Sequence, residues 1–158
     1  ASCSSMRGTE CRLSSNSLTN PISTTAVALA RSGNLEMNVR AHYMAWSDDG
    51  GTTWGPMRRT NIPTAQNWSH IGTLPDGRLY ILGSLANNLQ NQRSPLAIAI
   101  SDDGETFSKV YAILVDKIHA VRNSVIDNGF IWVGICHGGE KNAGRQDVAV
   151  IKIPIKEL

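Results

Sequence analysis

An acidic turn decides the fold of this chain: Ser47-Asp48-Asp49-Gly50-Gly51-Thr52-Thr53-Trp54. Most of it recurs as Ser101-Asp102-Asp103-Gly104-Glu105-Thr106-Phe107, about 50 residues further along. A hairpin signal with a central glycine turn precedes each copy, at residues 26–35 and 70–80. The chain is therefore built from repeated units whose strands are joined by tight turns.

Short apolar runs separated by turn residues fill the rest of the chain, and helical periodicity is almost absent. Residues that tolerate positive φ lie between runs at 31–34, 75–78 and 127–129. The pattern indicates an all-β, antiparallel protein. The predicted strands are 24–30, 42–46, 69–74, 79–84, 96–100, 109–115, 122–126, 130–136 and 148–153.

A third unit has no acidic turn and runs from Asn123 to Ile151. Units of about 40–50 residues with four strands each are typical of β-propeller blades. We therefore predict a polar N-terminal segment and a propeller region with three four-stranded blades. The segment covers residues 1–21 and the region 22–158, with blades at about 22–60, 65–115 and 118–156.

Composition excludes several classes of protein. The 158 residues are 41% hydrophobic and carry a net charge of +2, which argues against a disordered tail and against a nucleic-acid partner. The only basic pair, Arg58-Arg59, is predicted to be a solvated turn. No apolar run of about 18 residues is present to span a membrane. A signal peptide is expected to be absent or already removed, which leaves the compartment open.

Cofactor and metal chemistry find no support in the motifs. The paired glycines of the chain lack the strand-to-helix context of a phosphate-binding loop, and the histidines and cysteines lack metal-ligand spacing. We therefore expect neither a cofactor nor a metal site.

The first turn fits Ser-x-Asp-x-Gly-x-Thr-Trp, which resembles the Asp box of sialidases and other BNR-repeat propellers. The residues that carry this likeness are Ser47, Asp49, Gly51, Thr53 and Trp54. The second turn is aligned through Asp102, Gly104, Thr106 and Phe107, with Ile100 in place of the leading serine. We expect Asp49 to accept hydrogen bonds within its own turn, and Trp54 to be buried between blades.

A wider resemblance surrounds the two turns. Residues 60–65, 74–80 and 93–104 follow one another as in the sialidase-like BNR domain, and 148–154 resembles the end of that domain. The likeness covers about residues 40–158, and the first forty residues match no family that we can name. It implies a six-bladed propeller in which the Asp boxes lie at the rim, as structural turns and not as catalytic acids. Three blades are half of such a ring, so we expect either a longer chain or a homodimer that closes the ring.

The same resemblance implies which residues bind substrate. Sialidases of this superfamily hold the carboxylate of a sialylated glycan with arginines, because bidentate guanidinium groups match a carboxylate. Arg93 stands before Ser-Pro-Leu, where the family places such an arginine, although it could equally be a surface residue. Arg40 and Arg122 are further candidates, and Arg145 has a similar position before the last strand.

The catalytic groups of that family are harder to find. Its Tyr-Pro pair has no counterpart in residues 119–124, and Tyr43, Tyr80 and Tyr111 are predicted to pack in the core. Glu140 is a candidate base, or else a solvated loop acid. The resemblance implies an exo-sialidase-type glycoside hydrolase, in an active, a partial or an inactive form. The alternative is a propeller that binds glycan or protein without catalysis.

Overall fold

The computed structural model describes residues 26–34, 39–64, 69–85, 94–115, 119–138 and 146–158. These residues form ten strands and one short 3-10 helix, which confirms the prediction of an all-β fold. The strands are β1 Ala26–Asn34, β2 Val39–Ser47, β3 Arg58–Pro63, β4 His70–Thr73, β5 Leu79–Gly83, β6 Leu96–Ser101, β7 Phe107–Leu114, β8 His119–Asp127, β9 Phe130–Gly138 and β10 Gln146–Pro154, followed by the 3-10 helix Ile155–Glu157. No helix in the described part of the chain has the length and apolar character that spanning a membrane requires.

The strands form three antiparallel sheets, each made of strands that follow one another along the chain. Sheet A has the order β1-β2-β3, sheet B has β4-β5-β6-β7, and sheet C has β10-β9-β8. Within the described residues, only sheet B contains the four strands expected of every unit. Strand β3 was missed because Arg58-Arg59 was interpreted as a solvated turn; both side chains are exposed, but they begin a strand whose Thr60 and Ile62 are buried.

Tight turns connect the strands where the sequence predicts them. Between β8 and β9, Asn128 and Gly129 both have positive φ, at 48° and 78°. Two such residues give a primed turn, whose twist matches that of the flanking strands. Between β4 and β5, Gly77 has a φ of 92°, and the Leu74 N–H donates to the Arg78 carbonyl at 2.7 Å.

Sheet B lies between the other two sheets, and its strands β4, β5 and β6 are buried on both faces. Successive residues of a strand point to opposite faces. In β5, Tyr80 and Leu82 therefore join a cluster shared with sheet C, whereas Leu79 and Ile81 join one shared with sheet A. Strand β6 follows the same rule, and all six of its residues are buried. A strand that is apolar at every position is typical of a sheet covered on both faces.

The two ends of the stacked sheets differ in the strands and turns that lie there. All five even-numbered strands begin at one end, called here the far end, with Val39, His70, Leu96, His119 and Gln146. The other end, called the turn end, contains both acid turns and the hairpin turns at 75–78 and 128–129. Contacts between neighbouring sheets join like ends: Arg58 in sheet A bonds Glu105 beside sheet B.

Candidate functional site

The first acid turn is organised around one carboxylate. Asp49 accepts two hydrogen bonds from the Thr53 N–H, at 2.8 and 2.9 Å, and one from the Thr53 hydroxyl at 2.6 Å. The Ser47 hydroxyl donates to Asp49 at 2.7 Å and accepts the Gly51 N–H at 2.7 Å. The turn thus satisfies its own backbone donors, as was expected of Asp49.

These hydrogen bonds also set the ionisation of Asp49. Donors from Thr53 and then Ser47 stabilise the charged carboxylate and hold the pKa of Asp49 well below its usual range. Gly50 and Gly51 have φ values of 71° and 93°, which residues with a Cβ rarely adopt. An acid that is ionised at neutral pH and bonded within a fixed turn serves the structure and is unsuited to donating a proton.

The second turn uses Asp103, so its alignment through Asp102 was wrong by one residue. The Asp103 carboxylate accepts the N–H groups of Glu105 and Thr106 at 2.8 and 2.7 Å, and the Ser101 hydroxyl at 2.9 Å. Ser101 is therefore the leading serine, and not Ile100. Asp102 lies outside this network and is 3.5 Å from the Lys109 ammonium group.

Donors from the backbone of Thr106 and then of Glu105 lower the pKa of Asp103 to about 2. Gly104, with a φ of 77°, supplies the positive φ of this turn. Both acid turns therefore present ionised carboxylates that already accept hydrogen bonds from their own turns.

The two aromatic residues that follow the turns have different surroundings. Phe107 is 3% exposed and lies in the cluster between sheets A and B. Trp54 is only half-buried, and its indole N–H donates to the Gly51 carbonyl at 3.0 Å. The expectation that Trp54 fills the space between blades is wrong, because the ring closes over its own turn; Trp46 packs against that cluster instead.

A cleft of about 470 Å³ separates the two acid turns. It is lined by Trp46, Asp48, Asp49, Thr53, Gly55, Pro56, Arg58, Asp103 and Glu105. The Arg58–Glu105 ion pair, at 3.1 Å, bridges it. The carboxylates of Asp49 and Asp103 are hydrogen-bonded within their own turns. The cleft lies where sheets A and B meet. Among the described residues no cluster of His, Cys, Asp and Glu could hold a metal ion.

Polar side chains also join the sheets inside the molecule. His42 Nε2 lies 2.8 Å from the Ser69 hydroxyl and so joins sheet A to the residue before β4. The Tyr80 and Ser124 hydroxyls are 2.9 Å apart and join sheets B and C. Burial lowers the pKa of His70, which begins β4 at the far end. Neither contact could be predicted from the sequence, since nothing in the spacing of these residues indicates that they meet.

Two strand glycines make room for these contacts. A Cβ on Gly72 would meet the Tyr80 ring, its cross-strand partner, and a Cβ on Gly83 would meet the Ser69 side chain. The glycines therefore allow Tyr80 to lie flat over β4 and Ser69 to reach His42. The signal available in the sequence was a glycine inside a strand, which often marks a close approach of neighbouring groups.

The candidate arginines fall into two groups. The backbones of Arg40 and Arg122 are described: Arg40 is the second residue of β2, paired with Gly33, and Arg122 lies at an irregularity in β8 between Val121 and Asn123. Arg40 is close to the far end, whereas Arg122 is the fourth of the nine residues of β8, just on the far side of the middle of that strand. Arg93, Glu140 and Arg145 lie outside the described residues.

Of the three tyrosines, which all have described side chains, only Tyr80 is fully buried. Tyr80 is 1% exposed, and burial raises the pKa of its phenol while the Ser124 hydroxyl opposes the shift. Tyr111 was predicted to be in the core but lies on the exposed strand β7, with its hydroxyl 3.4 Å from the Leu158 carbonyl. Tyr43 is half-buried in β2.

Comparison with known families agrees with this architecture. A family model described as a BNR repeat-like domain matches residues 7–121, which is more than half of the chain. The match includes most of the first forty residues, for which the sequence alone indicated no family. It ends before β9. No curated protein matches the chain. Its acid turns, its stacked antiparallel sheets and this match agree: the chain belongs to the BNR repeat-like domain family, a family of β-propeller type.

Proposed function

We propose that the far end of the sheets binds the carboxylate of a sialylated glycan, as in a sialidase-type propeller. The observation that carries the proposal is the separation of the two ends. Both acid turns, whose carboxylates accept hydrogen bonds from residues of the same turn, lie at the turn end. The described backbone of Arg40 lies near the far end of sheet A, and that of Arg122 lies in the far half of β8 in sheet C.

Chain connectivity supports the same end for the remaining candidates. Arg93 stands three residues before Leu96, the first residue of β6, and both Glu140 and Arg145 belong to the connection between β9 and β10. Strands β6 and β10 begin at the far end. A set of arginines from several sheets suits a carboxylate, because each guanidinium group stays charged and donates two parallel hydrogen bonds.

Hydrolysis is the further step of this proposal, and binding without hydrolysis is its alternative. A sialidase-type mechanism needs a tyrosine whose proton passes to a neighbouring glutamate. Tyr80 is buried against Ser124 with a raised pKa, which makes it a poor nucleophile. This observation favours recognition of the glycan over turnover, with Glu140 as the candidate base if the chain is a hydrolase.

Titration of the labelled protein with sialyl-lactose, followed by NMR, tests the binding step. We expect saturable shifts for sialyl-lactose and much weaker shifts for lactose, which lacks the carboxylate. Arg93→Ala, Arg40→Ala and Arg122→Ala should each weaken binding by about tenfold or more, since each removes charge-assisted hydrogen bonds. Arg59→Ala is the matched control, because Arg59 is an exposed arginine near the turn end.

A fluorogenic sialoside separates the two forms of the proposal. Turnover that disappears in Arg93→Ala supports the hydrolase, whereas binding with no turnover supports the non-catalytic propeller. Equal affinity for sialyl-lactose and lactose would contradict the proposal, as would a loss of binding in Arg59→Ala that matches the far-end variants.

A further inference from the structure

A serine and a histidine meet where sheets A and B come together at the far end. The Ser69 hydroxyl lies 2.8 Å from His42 Nε2. In the tautomer in which Nε2 accepts the hydroxyl proton, this is the arrangement of a nucleophile and its general base, which lie about 2.6–3.2 Å apart. Recognition of a carboxylate by arginines does not use this pair.

The exposure of the two residues suits such a pair. His42 is 1% exposed, whereas Ser69 is half-buried and so retains contact with solvent. The imidazole is thus shielded while the serine is open to a ligand. The other hydroxyl contact between sheets differs in this respect, because Tyr80 and Ser124 are both buried.

The strands hold both side chains in place. His42 lies on the same face of β2 as Met44, which is buried in the cluster between sheets A and B. Ser69 directly precedes β4, and Gly83 leaves room for it, since a Cβ on that glycine would meet the Ser69 side chain. Side chains fixed by strands and packing keep a reactive geometry better than side chains on a loop.

The pair also lies at the end of the sheets where the candidate arginines are found. Strands β2 and β4 both begin at the far end, and His42 is the fourth residue of β2. Arg40 belongs to the same strand, two residues nearer to that end. A sugar held at this end by its carboxylate therefore brings its other hydroxyl groups, and any esters on them, to the region that Ser69 borders.

We propose that Ser69 and His42 form an ester-hydrolysing site that removes O-acyl groups from the glycan bound at the far end. The choice of substrate rests on the proposed recognition of a carboxylate, whereas the reactivity of the pair does not. The Ser69 oxygen bonds to the acyl carbon, and its proton passes to His42 Nε2. The bond from the acyl carbon to the sugar oxygen breaks, and that oxygen takes the proton. Water then attacks the acyl carbon, its proton passes through Nε2 to the Ser69 oxygen, and the free acid leaves.

Labelling with a fluorophosphonate tests the pair on the full wild-type chain with no glycan present. The Ser69 oxygen displaces fluoride, so mass spectrometry of peptides should find the phosphonyl group on Ser69, and Ser69→Ala should lose it. His42→Gln should slow both labelling and hydrolysis of 4-nitrophenyl acetate by about a hundredfold or more, because glutamine cannot take up the proton. Ser124→Ala is the matched control, since it removes the hydroxyl that joins sheets B and C and should leave both rates unchanged.

Release of acetate from sialyl-lactose that carries an O-acetyl group on its sialic acid tests the substrate. We expect release that depends on Ser69 and is at least about tenfold faster than release from acetylated lactose, which lacks the carboxylate. Wild-type protein without a label on Ser69 overturns the proposal even where sialyl-lactose binds, as does an equal loss of rate in Ser124→Ala and His42→Gln. A labelled Ser69 with equal rates on the two acetylated sugars, or with no release from either, overturns the substrate and not the pair.

Discussion

The acid turns show how one residue position decides whether a carboxylate is structural. Asp102 and Asp103 are adjacent and both exposed, yet only Asp103 accepts backbone N–H groups of its turn. The serine two residues earlier distinguishes them: Ser47 donates to Asp49, and Ser101 donates to Asp103. The pattern Ser-x-Asp therefore identifies the structural acid of this turn better than the spacing between the acid and the following glycine does.

Replacement of the two neighbouring acids of the second turn should have unequal effects. Asp103→Ala leaves the N–H groups of Glu105 and Thr106 without their acceptor, so we expect the melting temperature to fall by several degrees. Asp102→Ala removes only an exposed contact with Lys109 and should change it little. Thermal unfolding followed by circular dichroism measures both. Equal shifts would contradict the assignment of Asp103.

Acid should destabilise the protein through the same carboxylates. In the folded protein the pKa of Asp103 is about 2, whereas its ordinary value is 3.8. As the pH falls through 3.8, Asp103 is therefore protonated in the unfolded chain before it is protonated in the folded protein. The stability that Asp103 contributes is complete above about pH 4 and is lost as the pH falls toward 2. The pKa of Asp49 is also lowered in the folded protein, so protonation of Asp49 in acid should likewise reduce the free energy of unfolding.

Denaturant unfolding of the wild type and of Asp103→Asn at several pH values measures this effect. The gap in stability between the two proteins should narrow as the pH falls from about 5 to 2, because asparagine cannot titrate. A gap that stays constant over this range would show that the charge of Asp103 contributes nothing to folding.

At the scale of an element, the pairing of Gly72 with Tyr80 controls the packing of β4 and β5. A Cβ on Gly72 would meet the Tyr80 ring, which is buried and bonded to Ser124, so the ring has no free space to enter. We expect Gly72→Ala to lower the free energy of unfolding by about 1–3 kcal/mol.

Gly134 provides the control for that substitution, because it also lies in a strand. The nearest atom to its added Cβ is the Asn123 carbonyl oxygen at 3.9 Å, an ordinary contact. Gly134→Ala should therefore change stability by less than about 0.5 kcal/mol. Urea unfolding of both variants gives the comparison, and a Gly72→Ala protein as stable as the wild type would contradict the packing argument.

Strands could be predicted where the local pattern determines them, as in β5 and β6. Strand β3 was missed because its exposed arginines and short length resemble a loop, and only pairing with β2 makes it a strand. The acid turns were predictable because every bond in them is local. The contacts of His42 with Ser69 and of Tyr80 with Ser124 join residues far apart in sequence, so they depend on how the sheets stack.

At the scale of the whole molecule, sheet B couples the other two sheets. Its strands contribute one face to the cluster shared with sheet A and the other face to the cluster shared with sheet C. Asn61 of β3 also joins sheets A and B. Its side-chain amide donates to the Phe107 carbonyl at 2.9 Å, and its side-chain oxygen accepts the Phe107 N–H at 3.0 Å. Loss of order in sheet B should therefore expose both clusters at once.

Truncation of a single side chain in sheet B should lower the stability of all three sheets together. Ile98 is fully buried in the cluster shared with sheet C, so Ile98→Ala should cost about 2–5 kcal/mol, or roughly 2–4 °C in melting temperature for each kcal/mol. Far-UV circular dichroism follows every strand, whereas tryptophan fluorescence in a background carrying Trp68→Phe and Trp132→Phe reports only on Trp46 and Trp54 of the sheet A region. Because Ile98 belongs to the cluster shared with sheet C and not to that of sheet A, coincident shifts of the two signals require coupling through sheet B. Val110→Ala, an exposed site on β7, is the control and should shift neither. Two separate transitions in Ile98→Ala, with the tryptophan signal unchanged, would mean that the sheets unfold independently.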